Sequence, residues 1–170
     1  MTGPLEDAVE ALARGELVIF PTDTVYGLAA RPDEPSATAR LFEAKRRPQA
    51  LTLPVLVGSM AQARTVARFD ERAERLSAAW PGPLTVVLPR TQECRGWELG
   101  GEAGTVGVRI PHHPLAVALL ARSGPLAVTS ANLSGEPPAR EADSLAAAFG
   151  EQVAVYLCEE APLVGAASTV

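Results

Sequence analysis

Short apolar runs alternate with helix-like patterns along this chain, and the alternation restricts its fold more than any other sequence feature. Residues 17–20, Leu-Val-Ile-Phe, form an uninterrupted apolar run that predicts a buried strand. Comparable runs predict further strands at residues 53–57, 84–88, 105–110, 126–129 and 153–157. Strands that alternate with helices are typical of an α/β sheet covered on both faces, although strands 84–88 and 105–110 follow each other directly and could pair antiparallel.

Helical spacing of apolar residues separates most of these strands. Apolar residues recur at this spacing over residues 5–14 and stop before Gly15, which predicts a helix with a glycine C-cap. A second helix is expected over residues 36–46, with Ser36 as its N-cap and Pro48 as its stop signal. Four further helical patterns lie at residues 60–67, 70–79, 114–122 and 142–149.

Composition sets the class of protein. A chain of 170 residues, 47% apolar and 21% charged, can build a full core without a disulfide or a metal. We therefore expect residues 1–170 to form a single domain. No apolar stretch is long enough to cross a bilayer, and the N-terminus lacks the basic and apolar regions of a secretory signal, so we expect no membrane contact and a cytoplasmic location.

Residues that commonly bind metals or act as nucleophiles are sparse. Cys94 and Cys158 are the two cysteines and form no C-x-x-C motif, which fits a reducing compartment. His112 and His113 precede Pro114 at an expected helix start, where local capping is more typical than metal binding. We predict no protein metal site. P-loop, dinucleotide-binding and G-x-S-x-G motifs are also absent, so a nucleotide site would be non-standard.

Positive charge is concentrated in the middle of the chain, although the formal net charge is -5. Ten of the fifteen bases lie between Arg40 and Arg95, against five acids in the same segment. This excess could attract phosphate or a polyanion, and an ordinary solvated helical surface is an equally good interpretation. Lys45 is the only lysine in the chain, which indicates a position where a compact charge replaces the wide fork of arginine.

Two loops that follow predicted strands carry several hydrogen-bonding side chains each. The first is Pro-Thr-Asp-Thr-Val-Tyr-Gly-Leu at residues 21–28, and the second is Val-Thr-Ser-Ala-Asn-Leu-Ser-Gly-Glu-Pro at residues 128–137. Ligands of open α/β sheets gather at strand ends, where such loops aim hydroxyl and backbone N–H groups at an anion. A Ser/Thr or Asx turn is the alternative for any one of these residues.

Strand 105–110 combines an apolar face with a charged one. Alternation places Val106, Val108 and Ile110 on one face and Gly107 with Arg109 on the other. Arg109 must therefore reach water or meet a carboxylate or phosphate, and Gly107 leaves room for a ligand beside it. A structural salt bridge to a fixed Asp or Glu is the main alternative.

A set of ordered motifs resembles the YrdC-like family. The motifs are Pro-Thr-Asp-Thr-Val-Tyr-Gly-Leu at 21–28, Lys-Arg-Arg-Pro at 45–48, Leu-Pro-Val at 53–55, Pro-Gly-Pro-Leu-Thr at 81–85, Val-Arg-Ile-Pro at 108–111, Thr-Ser-Ala-Asn-Leu-Ser-Gly at 129–135 and Ser-Thr-Val at 168–170. The resemblance implies a twisted mixed α/β sheet flanked by helices, with a concave ligand cleft. It also implies a threonylcarbamoyl-AMP synthase, which makes threonylcarbamoyl-AMP and pyrophosphate from L-threonine, bicarbonate or CO2 and ATP for tRNA modification.

The resemblance implies a role for each matching residue. Lys45 and Arg47 would be the catalytic residues and would hold the ATP phosphates, with Mg2+ bound to the phosphates and to few or no protein ligands. The residues expected to bind threonine are Thr24, Tyr26, Arg109 and Ser168, with Arg109 paired to the carboxylate. The residues expected to bind the adenylate part of the nucleotide are Ser130, Asn132 and Ser134.

The sequence departs from the family pattern at two places. Leu56 stands where some members carry a histidine near the threonine pocket, and the chain stops at Val170, short of the family's usual extent. The family also implies contact with tRNA or double-stranded RNA and with a downstream threonylcarbamoyl transferase. Two alternatives remain, an RNA- or ribosome-binding protein without synthase activity and a carbamoyl-adenylate domain of hydrogenase maturation.

Overall fold

The computed structural model describes residues 4–160, 163 and 165–170. Its helices and strands follow in the order α1 (Pro4–Ala13), β1 (Val18–Phe20), β2 (Gly27–Ala30), α2 (Pro35–Lys45), β3 (Val55–Leu56), α3 (Met60–Val66), α4 (Glu71–Ser77), β4 (Val86–Pro89), β5 (Thr105–Arg109), α5 (Pro114–Ser123), β6 (Leu126–Ser130), α6 (Ala142–Phe149) and β7 (Val155–Tyr156). A short 3-10 helix at Gly150–Gln152 precedes β7. Every sequence-predicted helix and strand is present, with ends that differ by a few residues.

The strands form one mixed sheet in the order β4-β5-β3-β6-β2-β1-β7. Strand β1 is parallel to β7 and β3 is parallel to β5, whereas the other four neighbouring pairs are antiparallel. The pair formed by β4 and β5 is antiparallel, as the direct succession of these two strands along the chain allowed. The predicted mixed α/β sheet is confirmed.

Strand β2 is the one strand of the described residues that the sequence analysis did not predict. Residues 21–26 form a polar loop, and the chain then turns back so that β2 pairs antiparallel with both β1 and β6. Its sequence, Gly-Leu-Ala-Ala, has low intrinsic strand preference, so pairing on both edges stabilises it rather than local propensity.

The two predicted helix caps have different outcomes. Gly15 adopts φ of 76°, the N–H of Gly15 donates to the Leu12 carbonyl, and the N–H of Glu16 donates to the Ala11 carbonyl, which together form a Schellman motif. The prediction of Ser36 as N-cap is wrong. Glu34 occupies that position, because Pro35, whose φ suits the first helical position, begins the helix before Ser36. The Glu34 side chain makes no cap hydrogen bond.

Apolar residues cover both faces of the sheet in two separate clusters. Helices α1 and α5 pack with Val18, Phe20, Leu56, Leu126 and Val128 on one face. Helices α2, α3 and α6 pack on the other face. Val106, Val108 and Ile110 belong to that second cluster, which confirms the alternation predicted for β5 and leaves Gly107 and Arg109 on the opposite face.

The described residues contain neither a metal-binding cluster nor a helix that could span a membrane. In the part of the chain that the structure describes, no three His, Cys, Asp or Glu side chains come together in a way that could hold a metal ion. No described helix is both long and apolar enough to cross a bilayer.

His113 occupies the N-cap position of α5 but makes no cap bond, so the local capping expected of the two histidines is not seen at this residue. Its Nε2 atom lies 3.3 Å from Oε1 of Glu159.

Candidate active site

A cavity of about 540 Å³ opens beside the central strands on the face that carries α1 and α5. Strands β3 to β6, the loop after β1 and the C-terminal residues 167–170 all contribute to its wall. Six of the nine sequence-predicted site residues line it, namely Thr24, Tyr26, Arg47, Arg109, Ser130 and Ser168. Leu56 and Gly107 line it as well. A Cβ atom at Gly107 would lie 3.0 Å from Cγ2 of Thr85 and 3.6 Å from Cβ of Pro54, so close packing, rather than the predicted room for a ligand, accounts for this glycine.

The Arg109 guanidinium is held by three partners at the end of β5. Its Nε atom donates to the Gly82 carbonyl at 2.9 Å, Nη1 to the Thr24 hydroxyl at 3.1 Å, and Nη2 to Oδ1 of Asp23 at 2.5 Å. Burial lowers the pKa of Arg109, while Asp23 opposes that shift. The predicted alternative, a fixed carboxylate partner, is therefore present in the structure. Two of the five guanidinium N–H groups make no bond to the described residues.

The hydroxyls of Thr22 and Thr24 lie 3.0 Å apart beside the cavity. The Thr22 hydroxyl donates to the Val25 carbonyl at 2.6 Å, and its oxygen accepts the backbone N–H groups of Thr24 and Val25, both at 3.2 Å. Thr24 Oγ1 accepts from Arg109 and retains one lone pair. Thr24 therefore offers a hydrogen-bond acceptor to a ligand at this position, and a ligand N–H or O–H group would complement it.

Lys45 is buried behind the cavity wall and does not line the cavity. Its Nζ donates to the Ser130 carbonyl at 2.6 Å, to Ser130 Oγ at 3.0 Å and to Asn132 Oδ1 at 3.2 Å. It forms no ion pair with the described carboxylates. Burial, followed by repulsion from Arg47, lowers its pKa from 10.5 to about 8. An ammonium ion is therefore held next to the cavity by neutral oxygens alone.

Arg47 reaches the cavity from the loop after α2. Its Nη2 donates to the Thr52 carbonyl at 3.1 Å and its Nε to the Leu51 carbonyl at 3.4 Å. As with Lys45, no described carboxylate pairs with it, and burial lowers its pKa. The preceding residue, Arg46, has a left-handed backbone with φ of 53°, as no other described residue except glycine does. It caps the C-terminus of α2, and the chain turns there so that Arg47 reaches the cavity.

Asn132 and Ser134 lie beside Lys45 rather than in the cavity wall. Asn132 is buried, accepts from Lys45 and donates from Nδ2 to the Leu133 and Glu136 carbonyls, which shapes the loop after β6. Ser134 is exposed, and its backbone N–H donates to the Lys45 carbonyl at 3.0 Å. The structure thus groups Lys45, Ser130 and Asn132 in one hydrogen-bonded cluster, with only Ser130 facing the cavity.

The C-terminal segment, residues 165–170, contributes Ala167, Ser168 and Val170 to the cavity wall. The Thr85 N–H donates to the Thr169 carbonyl at 2.8 Å, and the hydroxyls of Thr85 and Ser168 lie 3.2 Å apart. At the other end of the segment, Gly165 approaches the loop after β1 so closely that a Cβ atom there would lie 1.8 Å from the Thr24 carbonyl oxygen. This segment brings Ser168 to the cavity.

Tyr26 forms a fully buried part of the wall. Its hydroxyl accepts the backbone N–H of Glu159 at 2.9 Å, and burial raises its pKa. The ring therefore serves as an apolar surface whose polar end is already bonded.

Several polar wall residues were not among the predicted site residues. These are Thr22, Thr52, Thr85, Thr105 and Thr129. Thr22 and Thr129 lie in the two polar loops, and Thr85 lies in the Pro-Gly-Pro-Leu-Thr motif, so the sequence carried a signal for these three residues.

Comparison with protein families gives a match over nearly the whole chain. Residues 10–170 match the model of the Sua5, YciO and YrdC proteins, which bears the description "Telomere recombination". A threonylcarbamoyl-AMP synthase of Chromohalobacter salexigens is 44% identical over 153 residues, which are 88% of this chain and 82% of that protein.

Solved structures show the same fold at higher and lower sequence identity. Pyrococcus abyssi Sua5, crystallised with L-threonine, is 34% identical with a TM-score of 0.87, and the match covers 100% of this chain but 51% of Sua5. Escherichia coli YciO is 26% identical with a TM-score of 0.82, over 90% of this chain and 76% of YciO. The chain therefore spans about half the length of the Sua5 protein that it matches.

Proposed function

The chain belongs to the Sua5/YciO/YrdC family, and we propose that it is a threonylcarbamoyl-AMP synthase in which residues 1–170 form one domain. The observation that carries this proposal is one cavity lined by Arg109, with two cations in or behind its wall, Lys45 and Arg47, that have no carboxylate partner among the described residues. A buried cation without an acidic partner is costly, and a bound anion offsets that cost.

Lys45 and Arg47 would hold the phosphates of ATP. Arg47 already lines the cavity, and its carbonyl partners leave guanidinium N–H groups for phosphate oxygens. Lys45 would act through its charge on Ser130, or would turn from Ser130 to the phosphate when ATP binds. The neutral partners of Lys45 support this role, because their replacement by an anion increases the favourable electrostatic interaction.

Arg109, Thr24 and Ser168 would bind the amino acid. The two remaining N–H groups of Arg109 would donate to the threonine carboxylate, while Asp23 keeps the guanidinium in place. Thr24 would accept a hydrogen bond from the threonine amine or hydroxyl through the Oγ1 lone pair that its contact with Arg109 leaves. Tyr26 and Leu56 would provide the apolar surfaces around the substrate.

The proposed reaction has two steps. Bicarbonate supplies CO2 by loss of hydroxide, the threonine nitrogen attacks CO2 to form a C–N bond, and the nitrogen loses a proton to give a carbamate. A carbamate oxygen then attacks the α-phosphorus of ATP, a P–O bond forms, and the bond to the leaving pyrophosphate breaks. Positioning and charge neutralisation carry such nucleotidyl transfer, so no protein nucleophile is required.

The nucleotide would lie along the loop after β6. Ser130 faces the cavity, and Asn132 and Ser134 shape the loop through their bonds around Lys45, so we propose that the adenylate contacts this loop. Mg2+ would reduce the negative charge of the phosphates when it binds with ATP.

The proposed product is reactive and requires an acceptor. A threonylcarbamoyl transferase that acts on tRNA would consume it. The proposal also implies a cytoplasmic location, where tRNA and ATP are available.

An RNA-binding protein without synthase activity is not favoured. Several bases of the positive segment are neutralised or buried, since Arg64 pairs with Glu74, Arg75 pairs with Glu71, and Arg90 is buried.

Pyrophosphate release from ATP tests the proposed function. We expect release that depends on both L-threonine and bicarbonate, with threonylcarbamoyl-AMP as the second product. Arg47→Gln should lower the rate at least about tenfold, the usual scale for loss of one charge-assisted contact to a transition state. Arg46→Gln is the matched control, because Arg46 is exposed and lies outside the cavity wall.

Two outcomes would contradict the proposal. Pyrophosphate release that does not change when threonine is omitted would show that threonine is not a substrate. No release, together with RNA binding that weakens steeply with salt, would favour the RNA-binding alternative.

A further inference from the structure

A second cavity, of about 430 Å³, lies between α2 and the connection from β4 to β5. Its wall shares no residue with the wall of the candidate active site. Phe42 and Trp97 provide aromatic surfaces, while Arg90, Arg95 and Glu98 are its charged residues. Cavities of several hundred Å³ with a few placed polar groups are typical of small-molecule sites.

Arg90 is the feature of this cavity that points to a ligand. The residue is 2% exposed, and its Nε and Nη1 atoms each donate at 2.8 Å, to the Thr105 and Trp97 carbonyls respectively. Among the described residues it has no carboxylate partner, and three of its five N–H groups make no bond. A buried guanidinium with unused donors and no counter-charge is costly unless an anion binds to it.

We propose that this second cavity binds a phosphate group, as the free ion or as a small monoester. Arg90 would donate to the phosphate from inside, and the exposed Arg95 would add positive charge at the rim. A phosphate has several acceptor oxygens and carries more than one negative charge, which suits two arginines better than a carboxylate does. Glu98, also exposed at the rim, opposes anion binding and limits the affinity.

The cavity wall is tied to the segment that carries Arg47. The Gly101 N–H donates to the Gln49 carbonyl at 2.9 Å, and the Leu53 N–H donates to the Leu99 carbonyl at 2.7 Å. Gln49 itself lines the second cavity. Phosphate bound in the candidate active site could therefore alter signals from this wall, so the test must separate the two sites.

The two tryptophans allow a local measurement. Trp97 lines the second cavity, whereas Trp80 lies elsewhere, with its indole N–H bonded to the Leu84 carbonyl and its ring against Phe69. In ¹H–¹⁵N spectra of the full chain, titration with inorganic phosphate should shift the Trp97 indole signal to saturation and leave that of Trp80 nearly unchanged. Sodium chloride at equal ionic strength is the control. The shift should persist in Arg47→Gln, which weakens phosphate binding in the first cavity.

Three variants test the charged residues directly. Arg90→Met should weaken phosphate binding at Trp97 at least about tenfold, because it removes the buried donors. Arg95→Gln should weaken it and Glu98→Gln should strengthen it, each by about two- to fivefold, the scale of exposed charge interactions. These two substitutions alter exposed side chains, so the test does not depend on the folding of Arg90→Met.

Ribose 5-phosphate distinguishes the two sources of the phosphate group. Saturable binding of both probes assigns the cavity to phosphate monoesters, and binding of inorganic phosphate alone assigns it to the free ion. The proposal is overturned if neither probe shifts the Trp97 signal to saturation, or if the Arg95 and Glu98 variants bind phosphate as the wild type does. Arg90 would then have only a structural role, as the hydrogen-bond donor to the Thr105 and Trp97 carbonyls. This readout is independent of the synthase activity.

Discussion

The Nη2 atom of Arg109 lies 2.5 Å from Oδ1 of Asp23, and the same carboxylate oxygen accepts the backbone N–H of His112 at 3.0 Å. The Arg109 and Asp23 side chains are 6% and 15% exposed. One carboxylate therefore fixes the guanidinium and joins the loop after β1 to the end of β5. The Arg109 guanidinium is therefore held in place without a bound ligand.

Replacement of Asp23 should cost much more stability than replacement of an exposed carboxylate. Asp23→Asn leaves the Arg109 charge buried without its partner, and we expect the free energy of unfolding to fall by about 3 kcal/mol. Asp33→Asn is the matched control, because the Arg31–Asp33 pair has the same 2.5 Å separation but side chains that are 39% and 46% exposed. That variant should lose less than about 1 kcal/mol. Equal losses in chemical denaturation would contradict the structural role of Asp23.

Replacement of Arg109 by lysine should affect threonine more than ATP. Lysine keeps the charge, but a single ammonium cannot reproduce the planar fork that reaches Gly82, Thr24 and Asp23 and still serves a carboxylate. We expect Arg109→Lys to raise the threonine KM about tenfold, which corresponds to about 1.4 kcal/mol. Threonine titrations at saturating ATP measure this effect.

ATP affinity of the same Arg109→Lys variant, measured by calorimetry without threonine, is the control and should change by less than about threefold. An equal loss for both ligands would place Arg109 at the phosphates or in a purely structural ion pair.

Part of this site followed from the sequence because it depends on local pattern. Alternation along β5 fixed the side of Arg109, since a strand places successive side chains on opposite faces. The polar loop at residues 21–28 was identified as a ligand loop because four hydrogen-bonding side chains exceed what one turn needs. Family motifs then named residues that the fold brings to one cavity, such as Thr24, Arg47 and Ser168.

Contacts between distant residues did not follow from the sequence. Asp23 and Arg109 are 86 residues apart, and any of the chain's 20 acidic residues satisfied the requirement for a carboxylate near Arg109. The partners of Lys45 did not follow from the sequence either, since its Nζ bonds to Ser130 and Asn132 because helix α2 ends with this residue facing the loop after β6. Strand β2 was missed for the same reason, since its pairing partners rather than its own residues stabilise it.

Lys45 should make the stability of the protein depend on pH in the alkaline range. Its folded-state pKa is about 8 against an ordinary value of 10.5, so the unfolded chain binds more protons between these two values. The free energy of unfolding should therefore rise with pH across this window, by up to about 3 kcal/mol from this group. Lys45→Met removes the contribution.

The difference in free energy of unfolding between wild type and Lys45→Met, followed by urea denaturation from pH 7.5 to 10.5, isolates Lys45 from other groups that titrate in this range. Parallel curves for the two proteins would show that the lysine is not held as a buried ammonium ion. Added ATP should reduce the wild-type slope, because phosphate stabilises the protonated form.

The close approach of Gly165 to Thr24 should determine whether Ser168 reaches the cavity. A Cβ atom at residue 165 would lie 1.8 Å from the Thr24 carbonyl oxygen and 2.5 Å from its carbon, and this backbone cannot yield as a flexible side chain could. Gly165→Ala should displace the C-terminal segment, break the contact between Thr85 and Ser168, and raise the threonine KM about tenfold. Gly104→Ala is the matched control, because a Cβ atom there meets nothing within 4 Å. Because residues 165–170 belong to neither core cluster, the free energy of unfolding of Gly165→Ala should stay within about 1 kcal/mol of wild type. Wild-type threonine use by the Gly165→Ala protein would show that the C-terminal segment takes no part in binding the amino acid.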